Sequence, residues 1–105
     1  MTQIENLYAY NNDVPGEPTH FEVQGIVTVP HAGIEPVLVE PSARQKDGLE
    51  VLELKLVATE GMALQVVTQK NVFFRREGGT SCKFLEIIHD GRSQRVEISH
   101  RQAYD

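Results

Sequence analysis

From His20 to Val29 apolar and polar side chains alternate, which puts Phe21, Val23, Val27 and Val29 on one face. A two-residue period is the pattern of a half-buried β-strand. Gly25 interrupts this strand and predicts a bulge or a close backbone approach. Pro30-His31-Ala32-Gly33 reads as a turn, and Pro36 to Glu40 as a short strand flanked by prolines, which suit a sheet edge. Pro41 to Gly48 is a polar connection. Glu50 to Ala58 alternates cleanly, with Leu52, Leu54 and Leu56 on one face. Leu and Glu also favour helices, but the alternation and the flanking Gly48 and Gly61 favour a strand. Met62 to Gln69 and Asn71 to Glu77 read as two strands or one bent strand. Cys82 to His89 and Gln94 to His100 complete the set.

Residues 1–18 read differently. Leu7, Tyr8 and Tyr10 are followed by the polar run Asn11-Asn12-Asp13 and then by Pro15, Gly16 and Pro18. Two prolines and a glycine so close together end any regular element. The expectation is an N-terminal arm and linker over residues 1–18, with one β domain over 19–105. About seven short strands with no intervening helical period indicate an all-β fold. The expected architecture is an immunoglobulin-like β-sandwich of antiparallel strands, with a small Greek-key β-barrel as the alternative.

Parity carries the C-terminal half further. Glu77-Gly78-Gly79-Thr80 and His89-Asp90-Gly91-Arg92 both have hairpin-turn chemistry, because Gly-Gly and Asp-Gly supply positive φ. Two such turns would make a three-stranded meander. One face of it would carry Val72, Phe74, Leu85, Ile87, Val96 and Ile98, and this face is the predicted core. The other would carry Phe73, Arg75, Cys82, Phe84, Glu86, Ile88, Arg95 and Glu97. There Phe73, Phe84 and Ile88 could cluster, and Glu86 could pair with Arg95. A contiguous outward apolar group needs a cover. The candidates are Leu7, Tyr8 and Tyr10 of the arm, a second copy of the chain, or a protein partner, with arm exchange in a homodimer combining the first two.

Charge adds an asymmetry. The chain has 105 residues and a net charge of −5. Residues 1–65 hold three Lys or Arg against ten Asp or Glu, while residues 66–105 hold seven against five. This is either ordinary scatter or steering of an acidic partner. The net acidity argues against a general nucleic-acid or anionic-membrane binder. Arg75 and Arg95 share a face with Phe73 and Phe84, but Glu86 and Glu97 interrupt it, so no nucleic-acid partner is expected. One cysteine, Cys82, excludes an internal disulfide, and no apolar run is long enough to span a bilayer. With no basic-then-apolar leader, a cytoplasmic location is expected.

Candidate chemistry is sparse. His20, His31, His89 and His100 show neither His-x-His nor His-x-x-x-His spacing, so no metal or other cofactor is expected. Ser81-Cys82 lies beside glycines but not at a strand-to-helix elbow. Gly78-Gly79 precedes a strand, not the helix that a phosphate loop requires. The reading is a non-enzymatic binding or assembly module, acting in protein–protein contact or self-association through Phe73, Arg75, Phe84 and Ile88, with Leu7, Tyr8 and Tyr10. The alternative is a small-ligand or carbohydrate-binding β-sandwich using the loops Pro30–Pro36 and Pro41–Gly48.

Overall fold

The computed structural model describes residues 4–41, 49–59 and 66–101. It contains seven strands: β1 (Ile4–Asn12), β2 (His20–Val29), β3 (Ile34–Val39), β4 (Leu49–Ala58), β5 (Thr68–Glu77), β6 (Phe84–His89) and β7 (Arg92–Arg101). No helix occurs among the described residues. The strands form one mixed sheet in the order β3-β4-β6-β7-β1-β2-β5, curled into a nearly closed barrel. The all-β, seven-strand architecture matches the sequence reading. The pairing is not purely antiparallel, however, because β1 runs parallel to β7 and β4 parallel to β6.

Parallel neighbours need a long connection, and here other strands of the barrel supply it. The barrel is built from three hairpins, β1–β2, β3–β4 and β6–β7, with β5 added beside β2. β7 joins two parts of the wall. Its first half pairs with β6, and its last residues pair with Ala9–Asn12 of β1. Residues 4–12, expected in an arm, thus form a strand that pairs with β2 along its length and with β7 over Ala9–Asn12. Exchange of this segment with a second copy would require opening two ladders. Residues 13–19 form the β1–β2 loop, with a turn bond from Glu17 N to Val14 O (3.2 Å) and an Asn12 Nδ2 bond to Glu17 Oε1 (2.9 Å).

The core lies inside the barrel. Phe21, Val23, Val27, Leu52, Leu54, Val72, Leu85, Ile87 and Ile98 are buried there, and Phe74 and Val96 pack against them. Every residue assigned by parity to the inner face of the C-terminal strands does face inward. The β6–β7 turn is the two-residue Asp90-Gly91 loop, both residues having positive φ (54° and 78°), with Leu85 opposite Val96. The meander, however, does not form. β7, β1 and β2 separate β6 from β5, so Glu77-Gly78-Gly79-Thr80 opens a crossover instead of a hairpin. Gly79 (φ 69°) is required there for space as well, since a Cβ would meet the Asn11 side chain and lie 2.6 Å from Thr19 Cγ2.

Side chains bring the last two strands, β3 and β5, together. Lys70 Nζ donates to Ala32 O (2.7 Å) and pairs with Glu35, and Arg76 Nη1 pairs with Glu40 Oε2 at 3.1 Å. A second Arg76 nitrogen reaches Glu50 Oε2 at 2.7 Å, and the guanidinium lies 5.4 Å from the centre of the buried Phe21 ring. Lys70, Arg75 and Arg76 of the basic half thus pair with Glu35, Glu22, Glu40 and Glu50 of the acidic half. Where β5 folds back, three of the seven cations of the basic half meet four of the ten acids of the first 65 residues.

Candidate functional site

The outer wall of β1, β2 and β5 gathers most of the proposed residues. On β2 the odd positions point inward, so His20, Glu22, Gln24 and Ile26 form the outer row. Register places Tyr8 and Phe73 on either side of Gln24, and Tyr10 and Arg75 on either side of Glu22. Neighbouring strands lie about 4.8 Å apart, so Tyr8 and Phe73 are roughly 10 Å apart across Gln24. Both rings are exposed, Tyr8 at 38% and Phe73 at 56%. Between them is a groove of about 430 Å³ lined by Asn6, Tyr8, Gln24, Ile26, Asn71 and Phe73.

A β-bulge shapes this groove. Between the Glu5–Ile26 and Tyr8–Gln24 pairs, Asn6 and Leu7 oppose the single residue Gly25. Asn6 takes φ 53°, a left-handed conformation that asparagine tolerates better than most residues. The extra residue shifts the alternation, so Glu5 and Tyr8 both face outward although three positions apart. Gly25 must be glycine, because a Cβ there would collide with Ile4 Cγ2 and meet Leu7 Cδ1 at 3.7 Å. Both readings of Gly25, bulge and close approach, hold, but the extra residue is on the partner strand. Leu7 packs towards the core rather than onto the outer wall.

Beside the groove sits a polar group that is buried even though it is on the outside. The Glu22 side chain is only 9% exposed. Its Oε2 accepts a bond from Gln24 Nε2 at 2.6 Å, and its Oε1 lies 3.7 Å from His20 Nε2 and 4.0 Å from Arg75 Nη1. Tyr10 lies opposite it on β1, with its ring 5.7 Å from the His20 ring and 5.3 Å from Tyr8. Glu22 thereby orients the Gln24 amide, whose nitrogen turns towards the carboxylate. Sequence reasoning missed Gln24, Glu22, Asn6 and Asn71, and weighed His20 only as a metal ligand. The outer row of β2 was legible as the complement of its apolar face, but nothing local indicated which strands would flank it.

Phe84 and Ile88 lie elsewhere. They belong to β6, three strands from β2, so they form no cluster with Phe73. Phe84 is 41% exposed with the Arg95 guanidinium 6.0 Å from its ring centre, and Ile88 is half-buried. Arg95 does pair with Glu86, at 3.1 Å. Cys82 precedes β6, outside the regular alternation, and packs against the core instead of facing outward.

The imidazoles do not converge. His20 Nδ1 lies 3.3 Å from Pro18 O, and His89 Nδ1 and His100 Nε2 approach the Leu54 and Cys82 carbonyls at 2.9 and 3.0 Å. His31 Nδ1 accepts from Gly33 N at 3.1 Å. No group of three or more His, Cys, Asp or Glu suited to a metal occurs among the described residues. Nor is any helix there long and apolar enough to cross a membrane. Of the two proposed ligand loops, Pro41–Gly48 lies almost wholly outside the described residues. No family model matches the chain, and comparisons with curated proteins and with solved structures return no match.

Proposed function

We propose that the protein is a non-enzymatic binding module that works through the outer wall of β1, β2 and β5. One observation carries this reading: Tyr8, Gln24 and Phe73, from three strands, meet in one cross-strand row around a groove. Exposed rings on a rigid sheet offer a large contact area at little cost in conformational entropy. The ionisable side chains on the Tyr10 and Arg75 side of the groove support binding over catalysis, since Glu22, His20 and Arg75 engage one another. The contact surface is redrawn from the sequence reading. It keeps Tyr8, Tyr10, Phe73 and Arg75 and leaves out Phe84, Ile88 and Leu7. A cytoplasmic location belongs to the same proposal, supported by Cys82 being a free thiol.

Amide chemical shifts of ¹⁵N-labelled protein test this. They are followed on dilution, which reports self-association, and against a panel of neutral oligosaccharides, nucleoside phosphates and short peptides. The expected result is that shifts for at least one arm converge on residues 6, 8, 24, 26, 71 and 73, and disappear in Phe73→Ser. Shifts centred elsewhere, shifts that survive Phe73→Ser, or none in any arm would overturn the proposal.

A further inference from the structure

The chemistry of the groove narrows its occupant. We infer that the groove between Tyr8 and Phe73 is a subsite for a neutral saccharide ring, an inference that rests on the binding wall proposed above.

Three observations select this class. The first is charge. The groove lining includes no ionised side chain, only aromatic, aliphatic and amide groups, the amides being Asn6, Gln24 and Asn71. The nearest cation on this wall, Arg75, lies beside both Glu22 (4.0 Å) and Glu77 (3.9 Å). A phosphate or carboxylate ligand would gain no free positive charge and would approach two carboxylates. A purely apolar ligand would bury three amides without replacing their bonds to water.

The second is backbone availability. An extended peptide gains affinity by adding a strand to a sheet edge. The groove lies over β1, β2 and β5, and its central strand, β2, is paired on both sides. Recognition at the middle of this wall therefore falls to side chains. A ligand that carries its hydroxyls around a rigid ring is suited to that, while an extended chain would leave its own amides unpaired.

The third is preorganisation. Gln24, which lines the groove, is held by Glu22 through its Nε2 at 2.6 Å, so the orientation of its amide is set before a ligand arrives. The bulge places Asn6 beside one ring, and Asn71 lies beside the other. An amide offers a donor and an acceptor side by side, matching two neighbouring hydroxyls of a sugar. A pyranose has faces of C–H groups whose slight positive charge complements the negative face of an aromatic ring. A spacing of roughly 10 Å between the rings, set by two strand separations, admits one such ring above Gln24. The volume of about 430 Å³ is near the low end for small-ligand sites, which favours one or two sugar units over a larger ligand.

Titration of the full chain with neutral hexasaccharides of glucose and of N-acetylglucosamine tests the inference, with a hexamer of galacturonate as the anionic contrast. Calorimetry gives affinity, and amide shifts give location. At least one neutral hexasaccharide is expected to bind and to move residues 6, 8, 24, 71 and 73, while the galacturonate hexamer does not. Phe73→Ser and Gln24→Leu are each expected to weaken binding about tenfold or more. Glu22→Gln is expected to weaken it several-fold by releasing the Gln24 amide, and Phe84→Ser on the distant wall to leave it unchanged. Phe73, Gln24 and Phe84 are exposed and Glu22 is buried, and circular dichroism checks that each variant is folded. If no neutral hexasaccharide binds, or if binding is indifferent to Phe73→Ser and Gln24→Leu, the saccharide inference fails. If peptides, nucleoside phosphates or a second copy of the chain move the same residues instead, it fails while the wall remains the binding surface.

Discussion

Replacing Arg76 by Met should be the most damaging single change on the barrel wall, and its cost should depend on pH. The guanidinium bonds Glu50 Oε2 at 2.7 Å, and the Thr80 hydroxyl donates to the same oxygen. The Glu50 side chain is 8% exposed and that of Arg76 28%. Burial pushes the Glu50 carboxyl up, but the bonds from Arg76 and Thr80 and the Arg76 charge outweigh it, so its pKa lies below the usual carboxylate value. Stripping one partner from a fully buried pair costs about 3–5 kcal/mol, so about 2–3 kcal/mol is expected for this partly open site. Loss of the guanidinium over Phe21 adds about 0.5–1 kcal/mol. The total of about 3 kcal/mol corresponds to a fall in Tm of roughly 12–24 °C for a domain of this size.

The sign of the pH effect follows from the lowered pKa. In the native protein the pair contributes fully above the unfolded carboxylate value, and its contribution is lost as pH falls through that value towards the folded one. In Arg76→Met the Glu50 carboxyl loses the Arg76 bond and charge and keeps only Thr80 and Cys82 against its burial, so its pKa rises relative to the parent. Acid then weakens the variant less than the parent, so the gap between them narrows from about pH 7 towards about pH 4. Urea unfolding at several pH values measures this, together with Glu50→Gln and the double variant. Glu50→Gln keeps Arg76 against Glu40 and Phe21 and should cost about 1 kcal/mol. The double variant should be less destabilised than the sum of the singles by at least about 1 kcal/mol. An Arg76→Met deficit that is small, independent of pH and additive with Glu50→Gln would refute the reasoning.

Other consequences can be measured in the same way. Gly79→Ala and Gly91→Ala impose similar positive-φ strain, about 1–2 kcal/mol each, but only position 79 also forces a Cβ against Asn11 and Thr19. Urea midpoints should therefore show Gly79→Ala clearly worse; equal costs would contradict the close packing there. Gly25→Ala should destabilise by about 1–3 kcal/mol through its collision with Ile4, and pairing it with Ile4→Ala should recover part of the loss in a double-mutant cycle. Lys70→Met removes the bond to Ala32 O and the pair with Glu35. Hydrogen exchange should accelerate in β3 and β5 ahead of β1 and β7, and a uniform change would argue that these side chains do not hold the seam.

How far the sequence could be read depended on distance along the chain. Asp90-Gly91 makes a hairpin because a two-residue turn needs positive φ locally and β6 and β7 have no other way to meet. Gly78-Gly79 has the same chemistry and the same positive φ, yet no hairpin follows, because β5 pairs with β2 and β6 pairs between β4 and β7. Turn residues specify dihedral angles, and the competition among edges decides which strands pair. Leu7, Tyr8 and Tyr10 were legible as anchors, but the prolines after them pointed to a linker when they in fact shape a loop between two paired strands. The bulge at Asn6 hid the parity of β1, so Tyr8 could not be placed on the outer wall by alternation alone.

By itself the sequence determined the inside and outside of five of the seven strands, β2, β4, β5, β6 and β7. A strand turns successive side chains to opposite faces, a property of its own backbone that needs no partner. That is why Val72, Leu85, Ile87 and Ile98 were placed correctly without any knowledge of their neighbours. Only the tertiary structure decided which outward residues meet. Phe73 joins Tyr8 across Gln24 and is parted from Phe84, because strand order follows from burying all the inner faces together while seven strands close into one barrel. The same closure folds basic β5 onto the acidic first half, so Lys70, Arg75 and Arg76 pair with acids that lie far from them along the chain.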